Sequence, residues 1–232
     1  MTVSSHATPI RAKAVIFDVG HTLIFPNHAF FYELAQEYQC RLSPDAFRKL
    51  GARCKEKAYR ENPANPYKKW ITEWYISAGV ESQYLPEIYD AIHQRHEQRQ
   101  LWDTLEPSLP DVLVRLREQG FVLGVISNAD GTVRQLLEDF ELDHYFKCIL
   151  DSTEVGIEKP DARIFFMAAQ MLGVVPEACV YIGDHWQVDG QGALHAGMIP
   201  VILDPFDVGK EIPCLKIRRL MDILKVVQLA ED

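Results

Sequence analysis

The chain has 232 residues, 47% of them apolar and 25% charged, with a formal net charge of −9. That size and balance suit one substantial core, or one core with a small accessory domain. The acidic balance, without a dense Lys/Arg block, argues against a nucleic-acid backbone as partner, and no apolar run approaches the roughly 18 residues of a membrane span. The five cysteines (Cys40, Cys54, Cys148, Cys179, Cys214) are odd in number and lack C-x-x-C spacing, so they read as reduced thiols. Met1 to Arg11 is polar and carries no apolar secretory core. The expected location is the cytoplasm.

The first predicted element is the apolar run Ala14–Phe17, a buried strand that ends on Asp18-Val19-Gly20-His21-Thr22. From Asn27 to about Leu105 the texture changes to helical periodicity with little strand signal. Candidate helices are His28–Gln39, Ser43–Arg60, Pro66–Ser77 and Pro86–Gln98, and Ser43-Pro44 makes a cap and first-turn pair. This stretch is too long for a loop and reads as an inserted helical domain with hinges near Phe25-Pro26 and Glu106-Pro107. Tyr67, Trp70 and Trp74, at helical spacing, read as its core. Strands and helices then alternate: a helix over Pro110–Gln119, a strand over Phe121–Ile126, a helix over Thr132–Phe140, a strand over Cys148–Leu150, a helix over Asp161–Leu172, a strand over Cys179–Ile182, a short helix from about Asp189 to Ala196, and a strand over Ile199–Leu203. Lys216, Arg218 and Arg219 read as a solvated helix start. The pattern is α/β, a doubly wound and mainly parallel sheet of Rossmann-like type with an inserted α-helical domain.

In such a sheet the ligand sits beyond the carboxyl ends of the strands. Those ends carry Asp18, then Ser127-Asn128, then Lys159-Pro160 ahead of a helix, then Gly183-Asp184 with Asp189 five residues later. A carboxylate such as Asp18 can attack phosphorus and split a transfer into two steps. Ser127 can donate to a phosphoryl oxygen, and Lys159 can neutralise developing charge. Asp18, Asp184 and Asp189 bring like charges together, an arrangement that suits Mg²⁺ with its preference for carboxylate oxygens, waters and substrate phosphate.

Asp18-x-Gly20-x-Thr22, Ser127, Lys159-Pro160 and Gly183-Asp184-x-x-x-x-Asp189 together resemble the four motifs of the haloacid dehalogenase-like hydrolase superfamily, with a helical cap inserted after the first strand. The resemblance runs from about Lys13 to Val201. It implies core residues 1–25 and 107–232 and a cap over 26–106. It implies Asp18 as nucleophile, the Gly20 carbonyl and Asp184 as further Mg²⁺ ligands, and Ser127, Asn128 and Lys159 on the phosphate. Thr22 would support the loop, with Asp189 close by. The implied reaction is hydrolysis of a small phosphorylated metabolite through a phospho-Asp18.

The departure from the family pattern is Gly20. Phosphatases of the superfamily usually carry Asp there as general acid and base, a role worth roughly 10²–10⁴-fold. Its absence predicts weak turnover of poor leaving groups. His21 and His185 are candidate replacements by chemistry, although neighbouring side chains point different ways. Two other readings share these residues: an impaired phosphate- or metabolite-binding module, and carbon–halogen or carbon–phosphorus cleavage. Retained Asp184 and Asp189 disfavour the metal-independent dehalogenase.

Overall fold

A computed structural model describes residues 9–61, 66–98, 101–209 and 212–230. Met1 to Thr8, which belong to the polar N-terminal stretch discussed above, lie outside them. The chain separates into two compact units, one made of residues 1–23, 105–205 and 212–232, the other of 24–104 and 206–211.

The first unit is built on strands. Short β1 (Ile10–Ala12) leads into β2 (Ala14–Phe17), whose four residues are all buried. The second unit begins with β3 (Ile24–Pro26) and continues through α1 (His28–Glu37), α2 (Pro44–Arg60), α3 (Pro66–Ser77) and α4 (Leu85–Glu97) to β4 (Trp102–Leu105). The first unit resumes with α5 (Leu109–Glu118), β5 (Val122–Ser127), α6 (Val133–Asp139), β6 (Cys148–Asp151), α7 (Ser152–Val155) and α8 (Ala162–Leu172). It ends with β7 (Cys179–Gly183), α9 (Gln191–His195), β8 (Ile199–Leu203), β9 (Leu215–Ile217), α10 (Ile223–Val226) and β10 (Val227–Leu229).

Six strands form one parallel sheet in the order β6-β5-β2-β7-β8-β9. Phe17 lies opposite Val125 on one side and Ile182 on the other, so the three central strands end nearly level. Period-two alternation divides their side chains between two faces. Ala14, Ile16, Ile126 and Tyr181 pack with Ile164, Phe165, Ala168 and Leu172 of α8. Val15, Phe17, Leu123 and Val125 alternate with them and are also buried, as a sheet covered on both faces requires. The fold is thus α/β with a parallel sheet at its centre.

The chain order β5, β2, β7 in the middle of the sheet is what positions the site. Successive strands are laid down outward from β2 in both directions, leaving a crevice at its carboxyl end. The strand-end residues arrive there because each strand is apolar until its last residue and polar immediately after it.

The helical unit follows from its caps and its rings. Ser43 accepts from Ala46 N at 3.3 Å with Pro44 in the first turn, and Asn27 accepts from Phe30 N at 2.8 Å. Phe31, Phe47, Trp70, Trp74 and Tyr75 form its buried centre. Gly51 must be glycine, because a Cβ there would lie 2.5 Å from Trp74 Cε2.

Four details differ from the sequence reading. β3, at the expected hinge, and β4, at the end of the stretch expected to be helical, form a two-stranded ribbon. The sheet has a sixth strand, β9, and β1 pairs with β10. Lys216 belongs to β9 and binds Asp204 at 3.4 Å instead of starting a helix; the helix that follows, α10, is a single turn. The expected helix at 189–196 is a π-helical turn, Trp186–Gly190, followed by α9.

Candidate active site

Asp18 follows the last residue of β2, and its backbone N–H donates to Ile182 O at 2.8 Å, extending the ladder to β7. Its side chain is almost completely buried. Oδ1 accepts from Lys159 Nζ at 2.7 Å, and Oδ2 accepts from Thr22 Oγ1 at 3.2 Å. Thr22 therefore supports the carboxylate itself as well as its loop. Gly20 lies between them, and His21 carries a left-handed backbone, φ 60°.

Lys159 comes from the segment before α8, 141 residues away in sequence, and is 4% exposed. Its ammonium donates to Asp18 Oδ1 and Asp189 Oδ1, both at 2.7 Å, and to Tyr181 OH at 2.9 Å. Its backbone is clamped by Asn128: Lys159 N donates to Asn128 Oδ1 at 2.8 Å, and Asn128 Nδ2 donates to Lys159 O at 2.9 Å. The Asn128 side chain, expected on the phosphate, is thus engaged in holding Lys159. Ser127 is buried at the end of β5.

Asp189 lies inside the π-helical turn, and that position sets its bonds. Oδ2 accepts from His185 N at 3.0 Å, and Oδ1 accepts from Lys159 and from Tyr181. Both of its oxygens are therefore used within the protein. Gly183 makes room for this carboxylate, since a Cβ there would lie 2.3 Å from Asp189 Cγ. Asp151, a further buried strand-end acid, does turn work only: it accepts from Gly131 N at 2.9 Å and Thr153 N at 3.0 Å.

The cluster brings like charges together. Asp18, Asp184 and Asp189 offer carboxylate oxygens all within 4.8 Å of one another, and the Lys159 ammonium meets two of the three, Asp18 and Asp189. Burial pushes the Asp18 carboxyl up; Lys159 opposes this, Asp189 and Asp184 add to it, and the result is about 7. Burial pulls the Lys159 ammonium down, but Asp18 and Asp189 more than reverse it, so it stays charged well above the usual lysine range. Burial likewise raises the Tyr181 phenol, which remains protonated. The clustered carboxylates, an all-oxygen donor set, fit a hard dication, and Asp18, Asp184 and Asp189 are grouped closely enough to hold one.

The structure thus brings Asp18, Thr22, Asn128, Lys159 and Asp189 into one hydrogen-bonded network, with the Asp184 carboxylate beside it. Sequence reading missed Tyr181. Its signal was present: an aromatic hydroxyl inside an otherwise apolar, doubly covered strand must find a partner when buried.

Residues 12–197 match the family model of haloacid dehalogenase-like hydrolases. Glyceraldehyde 3-phosphate phosphatase of Methanopyrus kandleri is 35% identical over 54% of this chain and 58% of its own length. Phosphoserine phosphatase of Thermus thermophilus is 32% identical over 61% of this chain and 56% of its own. The chain spans little more than half the length of these two relatives. Among solved structures, the magnesium-bound HAD-hydrolase YfnB of Bacillus subtilis shares the fold at a TM-score of 0.66 and 20% identity, over 94% of this chain and 100% of that one. The chain belongs to the haloacid dehalogenase-like hydrolases, an enzyme with phosphatases among its relatives.

Proposed function

We propose that this enzyme hydrolyses small phosphate monoesters with Mg²⁺, carrying the phosphoryl group on Asp18. The observation that carries the reading is the buried cluster itself: one carboxylate at the end of the central strand, bonded to a buried ammonium and ringed by further carboxylates. The names of the phosphatase relatives support a small phosphorylated substrate.

In the first step an Asp18 oxygen bonds to phosphorus and the ester P–O bond breaks, and the departing alkoxide takes a proton from solvent water to leave as the alcohol. In the second, water attacks the same phosphorus, giving inorganic phosphate and restoring Asp18. Lys159 balances the charge that spreads over the transferring group, and Ser127 donates to a phosphoryl oxygen. Bound Mg²⁺ adds the positive charge that keeps Asp18 ionised and draws charge from the phosphate. Asp18, Asp184 and the Gly20 carbonyl would hold it. Asn128 and Asp189 act through Lys159. The helical unit, residues 24–104, serves as a cap that selects the leaving group.

No carboxylate stands at position 20 to protonate the departing alcohol, so the rate depends on the leaving group. The test is a series of aryl and alkyl phosphates with Mg²⁺. Activity should fall steeply as leaving-group pKa rises, and Asp18→Asn should be inactive. A flat dependence with chemistry limiting would show that another group acts as the acid. Gly20 also favours a second reading, an impaired phosphate-binding module. Phosphate and Mg²⁺ binding without turnover, in both the natural chain and Gly20→Asp, would select it.

A further inference from the structure

Tyr181 lies on β7, two residues before Gly183-Asp184, on the sheet face shared by Ile16 and Ile126. Its hydroxyl accepts from Lys159 Nζ at 2.9 Å and lies 3.2 Å from Ile126 O and 3.1 Å from Asp189 Oδ1, either of which can take its proton. Ile126 is on β5, so the tyrosine reaches past the central strand β2 to the residue that precedes Ser127. Phe165 of α8 meets its ring edge-on, with centroids 4.9 Å apart at 71°. One hydroxyl therefore connects the strand that leads to Asp184, the strand that ends in Ser127, the π-helical turn that carries Asp189, and Lys159.

An ammonium has three N–H donors. Lys159 points two at carboxylates and the third at Tyr181. The two carboxylates take two of these donors, and Tyr181 takes the third, so no N–H of the buried ammonium is left without an acceptor. Tyr181 is also the neutral member of the set, so it orients the ammonium without adding a further negative charge.

We infer that Tyr181 is a positioning residue that acts through Lys159 to hold the ammonium against Asp18, an inference that rests on the proposed phosphatase reaction for its kinetic consequence. Tyr181→Phe keeps the ring and its packing on Phe165 and removes only the oxygen. A buried N–H of Lys159 loses its acceptor and either the Ile126 carbonyl or Asp189 loses a donor, and one missing contact of this kind corresponds to about a tenfold effect.

The experiment has two arms. Steady-state phosphatase kinetics with Mg²⁺ compare the natural chain, Tyr181→Phe, Lys159→Gln and the double variant. The expected result is a kcat about tenfold lower for Tyr181→Phe with KM nearly unchanged, and no further loss when the change is made in the Lys159→Gln background. Hydrogen exchange of the Lys159 ammonium, followed by nitrogen-15 NMR on the same proteins without substrate, should be at least about tenfold faster in Tyr181→Phe, as expected for a buried hydrogen bond removed. Unchanged exchange overturns the inference, as does a loss that persists in full without Lys159. If the natural chain hydrolyses no phosphate ester, the phosphatase reading falls, while the exchange arm still decides whether Tyr181 holds Lys159.

Discussion

In the helical unit three buried polar atoms of the aromatic core are engaged by backbone. Trp70 Nε1 donates to Gly51 O and Trp74 Nε1 to Phe47 O, both at 2.9 Å, and Tyr75 OH donates to Phe31 O at 2.9 Å. At the strand ends of the other unit the buried Asp18 and Asp189 carboxylates and the Lys159 ammonium are engaged with one another. The first arrangement satisfies these three groups at low cost and leaves the rings to pack: Trp74 stacks on Phe47 with centroids 4.5 Å apart and on Trp70 at 5.5 Å. The second concentrates charge where burial is most expensive. A fold retains such a cluster for what it does, and the two units can be separated by what breaks when each is altered.

The largest effect expected is the loss of activity in Asp18→Asn. Removal of a nucleophile that forms a covalent intermediate should lower kcat/KM by about 10⁴-fold or more, read with a good-leaving-group ester and Mg²⁺. The same change should not weaken the fold. Burial, opposed by Lys159 but reinforced by Asp189 and Asp184, raises the Asp18 carboxyl to about 7, above its value in an unfolded chain. A carboxyl with a raised folded pKa binds its proton more tightly in the native state, so the metal-free protein loses stability as pH climbs from about 4 to 7. Asp18→Asn should flatten that slope and melt higher than the natural chain at pH 8 without metal. Mg²⁺ should raise the melting temperature of the natural chain more than that of the variant.

The opposite outcome is expected in the helical unit. Trp74→Ala opens a large cavity among Phe31, Phe47 and Trp70 and should cost about 3–5 kcal/mol in denaturant unfolding. Gly51→Ala pushes a methyl into the Trp74 ring, 2.5 Å from Cε2, and should cost about 1–3 kcal/mol. A Trp74 variant that keeps full stability would remove the claim that this stack is core.

Gly20→Asp comes next. A carboxyl at that position can serve as acid and base, so turnover of alkyl phosphates should rise by about 100-fold, the lower end of the usual range for a positioned acid, with little change for esters whose leaving groups need no proton. An equal rise for both classes would point to a change in binding and not in proton transfer.

Much of the catalytic unit was legible because its strands are buried on both faces and so read as apolar runs, each ending abruptly on a polar residue. Asp18, Ser127 and Asp184 announce themselves by that change of polarity, and Lys159 by its place with Pro160 ahead of a helix. The ribbon of Ile24–Pro26 with Trp102–Leu105 did not, because segments of three and four residues, one ending in Pro, carry no period to read. Nor did the pairing of β1 with β10, which joins Ile10 to Val227 across most of the chain. Lys216 read as solvated because its partner Asp204 becomes its neighbour only when β9 joins the sheet. Asp189 and Asn128 were legible as site residues but not in their bonding: that Asp189 accepts from His185 N, and that Asn128 grips the Lys159 backbone, depends on a π-helical turn and on a segment 31 residues away.

The smallest effect expected concerns two ion pairs of similar geometry. Lys57 Nζ lies 3.1 Å from Glu73 Oε2 in the helical unit, and Lys159 Nζ lies 2.7 Å from Asp18 Oδ1 in the other. The Lys57 side chain is half exposed, at 51%, whereas that of Lys159 is 2% exposed. Water and salt screen the first pair, and its long side chains lose as much freedom as the contact returns. Glu73→Gln should therefore leave the melting temperature unchanged within measurement error at physiological salt. Lys159→Gln, which leaves Asp18 and Asp189 facing each other in a buried site, should lower it clearly in metal-free buffer and less so with Mg²⁺. If the two substitutions moved the melting temperature equally, burial would not be what distinguishes the strand-end cluster, and the pairing of Lys159 with Asp18 would carry no more functional weight than a surface contact.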